Sequence, residues 1–173
     1  RADGVTLGGD GTGFKLGGDT YTTAHLVEEC LAYDNAGGGF SANDNNGAIV
    51  LHRNTSIRNG RAGNGYPASY IFDGVSSAAV LEDNVKYAGY DNYLGAGVTQ
   101  SYNSWNNPPN IGAETSSWFG INGLNSGNAA FGQPSIGSIL LTSGHTGSYI
   151  GFTGTATESP PAVNAALILL LLS

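Results

Sequence analysis

The chain contains no methionine, one cysteine and little charge. A single thiol, Cys30, rules out an intrachain disulfide. Only 11% of the residues are charged, too few for solvent-facing helices built from Glu and Lys. Few stretches repeat at 3.6 residues, so short strands joined by tight turns are the better reading. Six basic residues stand against 13 acidic ones, for a net charge of −7. Without a basic stripe there is no electrostatic footprint for nucleic acid, and that class of partner is set aside. The same acidity opposes direct salt bridges to a polyanionic sugar, which would need a bridging cation such as calcium. Residue 1 is Arg rather than Met, which suggests a processed chain or a fragment.

What is abundant is glycine, 28 residues of 173, with Asn and Ser. Gly13, Gly39 and Gly65 stand 26 residues apart, and each precedes an aromatic: Phe14, Phe40 and Tyr66. A second pattern recurs in residues 27–35, 51–59 and 81–89, and it brings Cys30, Asn54 and Asn84 into register at a turn. A fixed period carried by Gly and apolar residues is the mark of a solenoid. One coil cannot bury its own apolar face, whereas stacked coils form parallel sheets around a continuous core. The expected strands are 13–16, 26–33, 48–51, 69–72 and 79–87. Gly and Asn are expected at the corners, where left-handed backbone angles are needed.

Three regions follow. Residues 1–107 carry the coils. The string 106–110 (two Asn, two Pro, Asn) is a break. Residues 108–158 read as degenerate coils or a Ser/Gly-rich cap, with one more strand expected at 136–141. Residues 159–173 form an apolar tail, too short for a spanning helix of roughly 20 residues. It reads either as a capping helix or as the signal for a C-terminal lipid anchor.

The sharpest local string is Gly13, Phe14, Lys15, Leu16, Gly17, Gly18, because lysine occurs elsewhere only at Lys86. A lysine within an apolar strand, on its outer face, can act as a base where its surroundings favour the neutral amine. The other candidates are plainer. His25, His52 and His145 show no ligand spacing. Cys30 reads as a small buried hydrophobe, and Asn54, although in a glycosylation sequon, reads as a structural turn residue. Asp34, Asp44, Asp83 and Asp91 read as turn residues. Tyr66, Tyr70, Tyr87, Tyr90, Tyr93, Tyr102 and Trp105 either stack on sugar rings or stack inside the coil.

The Lys15 string, together with residues 25–35, 39–43 and 49–56, resembles the core coils of family 9 polysaccharide lyases. These are the pectate lyases built as right-handed parallel β-helices, and the resemblance covers roughly residues 10–107. It implies an all-β, right-handed parallel β-helix. It also implies calcium-assisted β-elimination on polygalacturonate, with Lys15 as the base that removes the C5 proton. In that family the calcium aspartates lie on coils before the lysine, yet only 14 residues precede Lys15 here. Asp3, Asp10 and Asp19 are the candidate calcium ligands, although Asp10 and Asp19 also read as turn residues beside Gly. Arg53, Arg58 and Arg61, half of all the basic residues, are candidates to clamp uronate carboxylates, or else a solvated edge. The alternative to an enzyme is a non-catalytic carbohydrate-binding or cell-surface β-helix remnant, truncated and lacking the calcium site. Either would be secreted and is expected to be monomeric. An ice-binding solenoid is disfavoured, because Thr20, Thr22, Thr23, Thr55 and Thr99 do not recur at the coil period.

Overall fold

The computed structural model describes residues 10–18, 22–60, 67–73, 79–106, 111–119, 131–135 and 138–152. Its strands form three parallel sheets. The first sheet holds β1 (Phe14–Lys15), β4 (Phe40–Ser41), β7 (Tyr70–Phe72) and β10 (Tyr93–Leu94). The second holds β2 (His25–Glu28), β5 (Ile49–His52), β8 (Ala79–Glu82) and β11 (Thr99–Ser101). The third holds β3 (Leu31–Tyr33), β6 (Thr55–Ile57) and β9 (Val85–Tyr87). Every pairing is parallel and joins a strand to its equivalent one coil away. The chain therefore winds as a parallel β-helix, and crossovers between parallel strands are right-handed in about 98% of cases.

The interior is filled in columns. The rings of Phe14, Phe40 and Tyr70 stack with centroids 4.8 and 5.2 Å apart, and Trp105 continues the column 4.8 Å beyond Tyr70. Ile49, Leu51, Ala79 and Leu81 are essentially inaccessible beside them. At the turn between the second and third sheets runs an asparagine ladder. Asn54 Oδ1 accepts the backbone N–H of Cys30 at 3.0 Å, Asn84 Oδ1 that of Asn54 at 2.9 Å, and Asn103 Oδ1 that of Asn84 at 2.9 Å. The amide nitrogen of Asn54 donates to Val27 O and to Asn84 Oδ1, so this buried side chain is a rung and not a glycan acceptor. Cys30 caps the ladder: it is only partly buried, packs against the core, and its Sγ donates to Glu28 O at 3.2 Å. Burial pushes its thiol pKa up.

Four expectations need correction. The aromatic column continues from Phe40 to Tyr70, not to Tyr66, so the second step is longer than the first. Gly65 and Tyr66 lie outside the described residues. The runs 26–33 and 79–87 are each two strands, broken at the ladder position so that the chain can turn a corner. The corners are not reserved for Gly and Asn. Glu29, Arg53, Asp83 and Tyr102 all have φ between 51 and 57°, and Asp34, Arg58 and Ala88 repeat this at the next corner. Left-handed geometry costs such residues about 1–3 kcal/mol each, and the Asn ladder hydrogen bond that follows each member of the first row offsets it. Lastly, residues 139–141 form a one-turn 3₁₀ helix, not a strand, with Ser138 capping its start.

Residues 111–119 and 138–152 lie on the outer face of the third sheet. Ile111, Trp118, Phe119, Leu140 and Ile150 bury Ile57 and Val85 in a second core, separate from the coil interior. No helix among the described residues is long and apolar enough to cross a membrane. The tail 159–173 lies outside the described residues.

Candidate functional site

Strand alternation decides where Lys15 points. Phe14 faces inward onto Phe40, so Lys15, the next residue, faces outward from the first sheet. Two glycines of its string, Gly13 and Gly17, are steric necessities. A Cβ on Gly17 would fall 2.4 Å from Asn45 Cβ and 2.6 Å from Ala42 O, and one on Gly13 would fall 2.6 Å from Asn35 Nδ2. The string thus fixes a close coil-to-coil approach as well as presenting a lysine.

Lys15 Nζ lies 2.8 Å from Asp10 Oδ2, and both side chains are a little under half exposed. Asp10 Oδ1 also accepts the Thr12 N–H at 3.0 Å. The Lys15 ammonium first, and then this N–H, hold the Asp10 carboxyl below the usual carboxylate range. Asp10 is therefore the counter-ion of Lys15. A calcium ion needs six to eight oxygen ligands. Among the described residues no group of three or more His, Cys, Asp or Glu could hold a metal. The one described acid beside Lys15 is already engaged by its ammonium, so these residues alone do not fit calcium. Asp3 and Asp19 lie outside the described residues.

The arginines are not brought to Lys15. Arg53 sits at the corner between the second and third sheets and is 2% exposed. Its Nε lies 3.2 Å from Glu29 Oε1, and its guanidinium carbon lies 4.8 Å from the Tyr149 ring centroid. Arg58, at the next corner, stacks 4.6 Å over Tyr33. Arg61 lies outside the described residues. The tyrosines divide. Tyr70 is fully buried, with its single O–H within donating reach of Val85 O at 2.9 Å and Asn54 O at 3.1 Å, whereas Tyr90, Tyr93 and Tyr102 are exposed. Tyr87 packs edge-on to Phe119. Tyr93 shares the outward column of Lys15, which runs Lys15, Ser41, Ile71, Tyr93.

Sequence reasoning missed a polar cluster at the corner of the second and third sheets. Glu28, His52 and Glu82 are in register, and Glu29, Arg53 and Asp83 follow them one residue on. His52 Nδ1 lies 3.1 Å from Glu28 Oε1, and its Nε2 lies 3.3 Å from Asp83 Oδ2. The signal was present: each copy of the repeat carries two consecutive charged or His residues just before Cys30, Asn54 or Asn84.

Three parallel sheets, an inward aromatic stack and a ladder of asparagines define a parallel β-helix. The chain aligns over 89% of its length with the crystal structure of pectate lyase Pel9A, at a TM-score of 0.62 and 26% identity, and it covers 39% of that chain. It is 33% identical to pectate lyase L of Paenibacillus polymyxa (strain SC2) over 111 residues, 63% of this chain and 23% of that protein. It is 42% identical to pectate lyase PEL9 of Emericella nidulans over 67 residues, 36% of this chain and 16% of that protein. No family model matches the chain. The chain is thus similar to pectate lyases in fold and, over part of its length, in sequence, and it spans less than a quarter of the length of these two curated relatives.

Proposed function

We propose that this chain forms the lysine-bearing coils of a pectate lyase-type β-helix that cleaves polygalacturonate or a related acidic polysaccharide by β-elimination. One observation carries this reading: Lys15 projects outward, partly exposed, from a β-helix whose relatives are pectate lyases. The neutral Lys15 amine takes the proton from C5 of a uronate. The C–H electron pair becomes the C4–C5 double bond, the C4–O bond breaks, and the departing oxygen takes a proton from water. The products are one unsaturated and one intact chain end, with no oxidant or reductant consumed. Asp10 holds Lys15 Nζ at 2.8 Å, so the pair must part before Nζ can reach a C5 proton. In this reading calcium is the cofactor, and Asp3, Asp10 and Asp19 are its candidate ligands. The described residues do not make its site, and the step above is not routed through it. Arg58 and Arg61 remain candidate substrate contacts where the polymer passes the corners, whereas Arg53, 2% exposed and paired with Glu29, is out of a polymer's reach. A secreted monomer suits a polymeric substrate.

The test is the ultraviolet absorbance of unsaturated uronate released from polygalacturonate at alkaline pH, with calcium or with chelator. Replacing Lys15 with Ala removes the base, and positioned bases contribute roughly 10²- to 10⁴-fold in rate. Loss of that size from a folded K15A supports the assignment, and a variant as active as the parent sinks it. A second reading, a non-catalytic module that binds acidic polysaccharide, is favoured by the closed Lys15–Asp10 pair. It predicts retention on immobilised polygalacturonate with no absorbance change from the folded parent.

A further inference from the structure

The corner cluster holds a histidine whose bonding can be completed in one protonation state only. His52 is 5% exposed and lies between two carboxylates, Glu28 on Nδ1 and Asp83 on Nε2. A neutral imidazole has one N–H and can donate to one of them, whereas an imidazolium donates to both. Asp83, 1% exposed, is also the anchor for residues 138–152. Its Oδ1 accepts the His145 N–H at 2.8 Å, and its carbonyl oxygen accepts the Gly151 N–H at 2.6 Å. The approach is close enough that a Cβ on Gly144 would meet Asp83 Oδ1 at 2.9 Å.

The same segment is tied to the rest of the row. The Tyr149 hydroxyl donates to Glu29, whose carboxylate pairs with Arg53. His145 Nδ1 lies 3.5 Å from Glu82 Oε1, and its ring lies against Tyr102. The Phe152 N–H donates to Thr55 Oγ1 at 2.7 Å. Among the described residues, four carboxylates (Glu28, Glu29, Glu82, Asp83) thus lie in ion-pair contact with one permanent cation, Arg53, and with the rings of His52 and His145.

We propose that residues 138–152 form a pH-gated strap over the third sheet, closed when His52 is protonated and loosened as His52 becomes neutral. Deprotonation removes the His52 donor from Glu28 or from Asp83 Oδ2. A buried carboxylate oxygen without a donor is costly, and at Asp83, where the strap is anchored, it is relieved by admitting water. Leu140 and Ile150 keep the strap near the sheet, so the change is a loosening and not release. Burial lowers the pKa of His52, but the hydrogen bonds to Asp83 and then Glu28 outweigh it, and the net shift is upward. A raised histidine stabilises the closed form fully below its ordinary value of about 6.5, and that stabilisation is lost as pH rises through the raised value.

Hydrogen exchange of peptides covering 138–152, corrected for intrinsic rates, reads this directly. Measured at about pH 5.5 and about pH 8.5, either side of the ordinary histidine value, strap protection should fall several-fold in the parent chain while the coil peptides hold theirs. In His52→Gln the strap should show the same protection at both pH values. Should that buried substitution fail to fold, Glu28→Gln, on the partly exposed end of the row, should move the transition to lower pH. Equal strap protection at the two pH values in the parent, or a Glu28→Gln transition that does not move, overturns the proposal.

Discussion

The coils and the segment laid against them are held by different means. In residues 10–106 each strand is bonded to the next coil through its own backbone, and the Asn ladder repeats the same bond at each turn. The described residues of 111–119, 131–135 and 138–152 have no such partner. Their regular elements are three single-turn 3₁₀ helices, Ser116–Trp118, Ile139–Leu141 and His145–Gly147. Single turns do not persist unaided. That region borrows its order from coil side chains: Ile57 and Val85 as an apolar floor, Asp83, Glu29 and Thr55 as polar anchors. The coils should therefore fail together when a shared rung is removed, and the covering segment should fail alone.

Breaking a rung is the most severe test. Asn84 accepts from Asn54 N and Nδ2, and donates to Leu51 O and Asn103 Oδ1, at 2.9–3.0 Å. Asn84→Ala strands these buried partners, each costing about 1–3 kcal/mol. A total loss of roughly 3–5 kcal/mol is expected, an exceptional value for one substitution. It should appear as one cooperative shift in denaturant unfolding followed by circular dichroism. A loss below about 1 kcal/mol would mean that water replaces the rung freely and that the ladder is not what unites the coils.

The covering segment gives the contrasting result. Leu140 is fully buried in the second core. Leu140→Ala should cost about 2 kcal/mol, the low end for such changes, because the site can collapse or admit solvent. The loss should be confined to 111–152, seen as faster hydrogen exchange there and a shift in Trp118 emission, with coil exchange unchanged. A uniform loss through the coils would erase the distinction between the two regions.

The same contrast explains what the sequence revealed. The coils were legible because their signals repeat: Phe14 with Phe40, and Cys30 with Asn54 and Asn84, are register partners in space as in sequence. The slip in register, Tyr66 for Tyr70, fell where an insertion lengthens a coil, and a fixed period cannot see an insertion. The corner residues were misjudged because left-handed backbone is associated with Gly and Asn. Here the strain at Arg53 and Asp83 is offset by bonds that appear only when coils stack. Residues 138–152 have no repeat to read, and their partners, such as Asp83 for His145, lie 62 residues away. Lys15 was legible as a string, whereas its pairing with Asp10 depends on how residues 10–14 turn back, which no pattern encodes.

The smallest expected effect separates chemistry from architecture. The Lys15–Asp10 pair is nearly half exposed at both ends, and it belongs to neither holding system described above. Exposed pairs contribute about 0.2–1 kcal/mol, so Lys15→Ala and Asp10→Asn should each leave the unfolding transition nearly unmoved. What the pair does contribute follows the lowered Asp10 value. It is present above about pH 3.9, the ordinary Asp range, and is lost as pH falls through the lowered value. At the alkaline pH of a lyase assay both variants should be folded as fully as the parent, and a change in uronate release can then be assigned to the base itself. A Lys15→Ala chain that loses several kcal/mol of stability would place Lys15 among the residues that hold the coils, and its loss of activity would no longer identify a base.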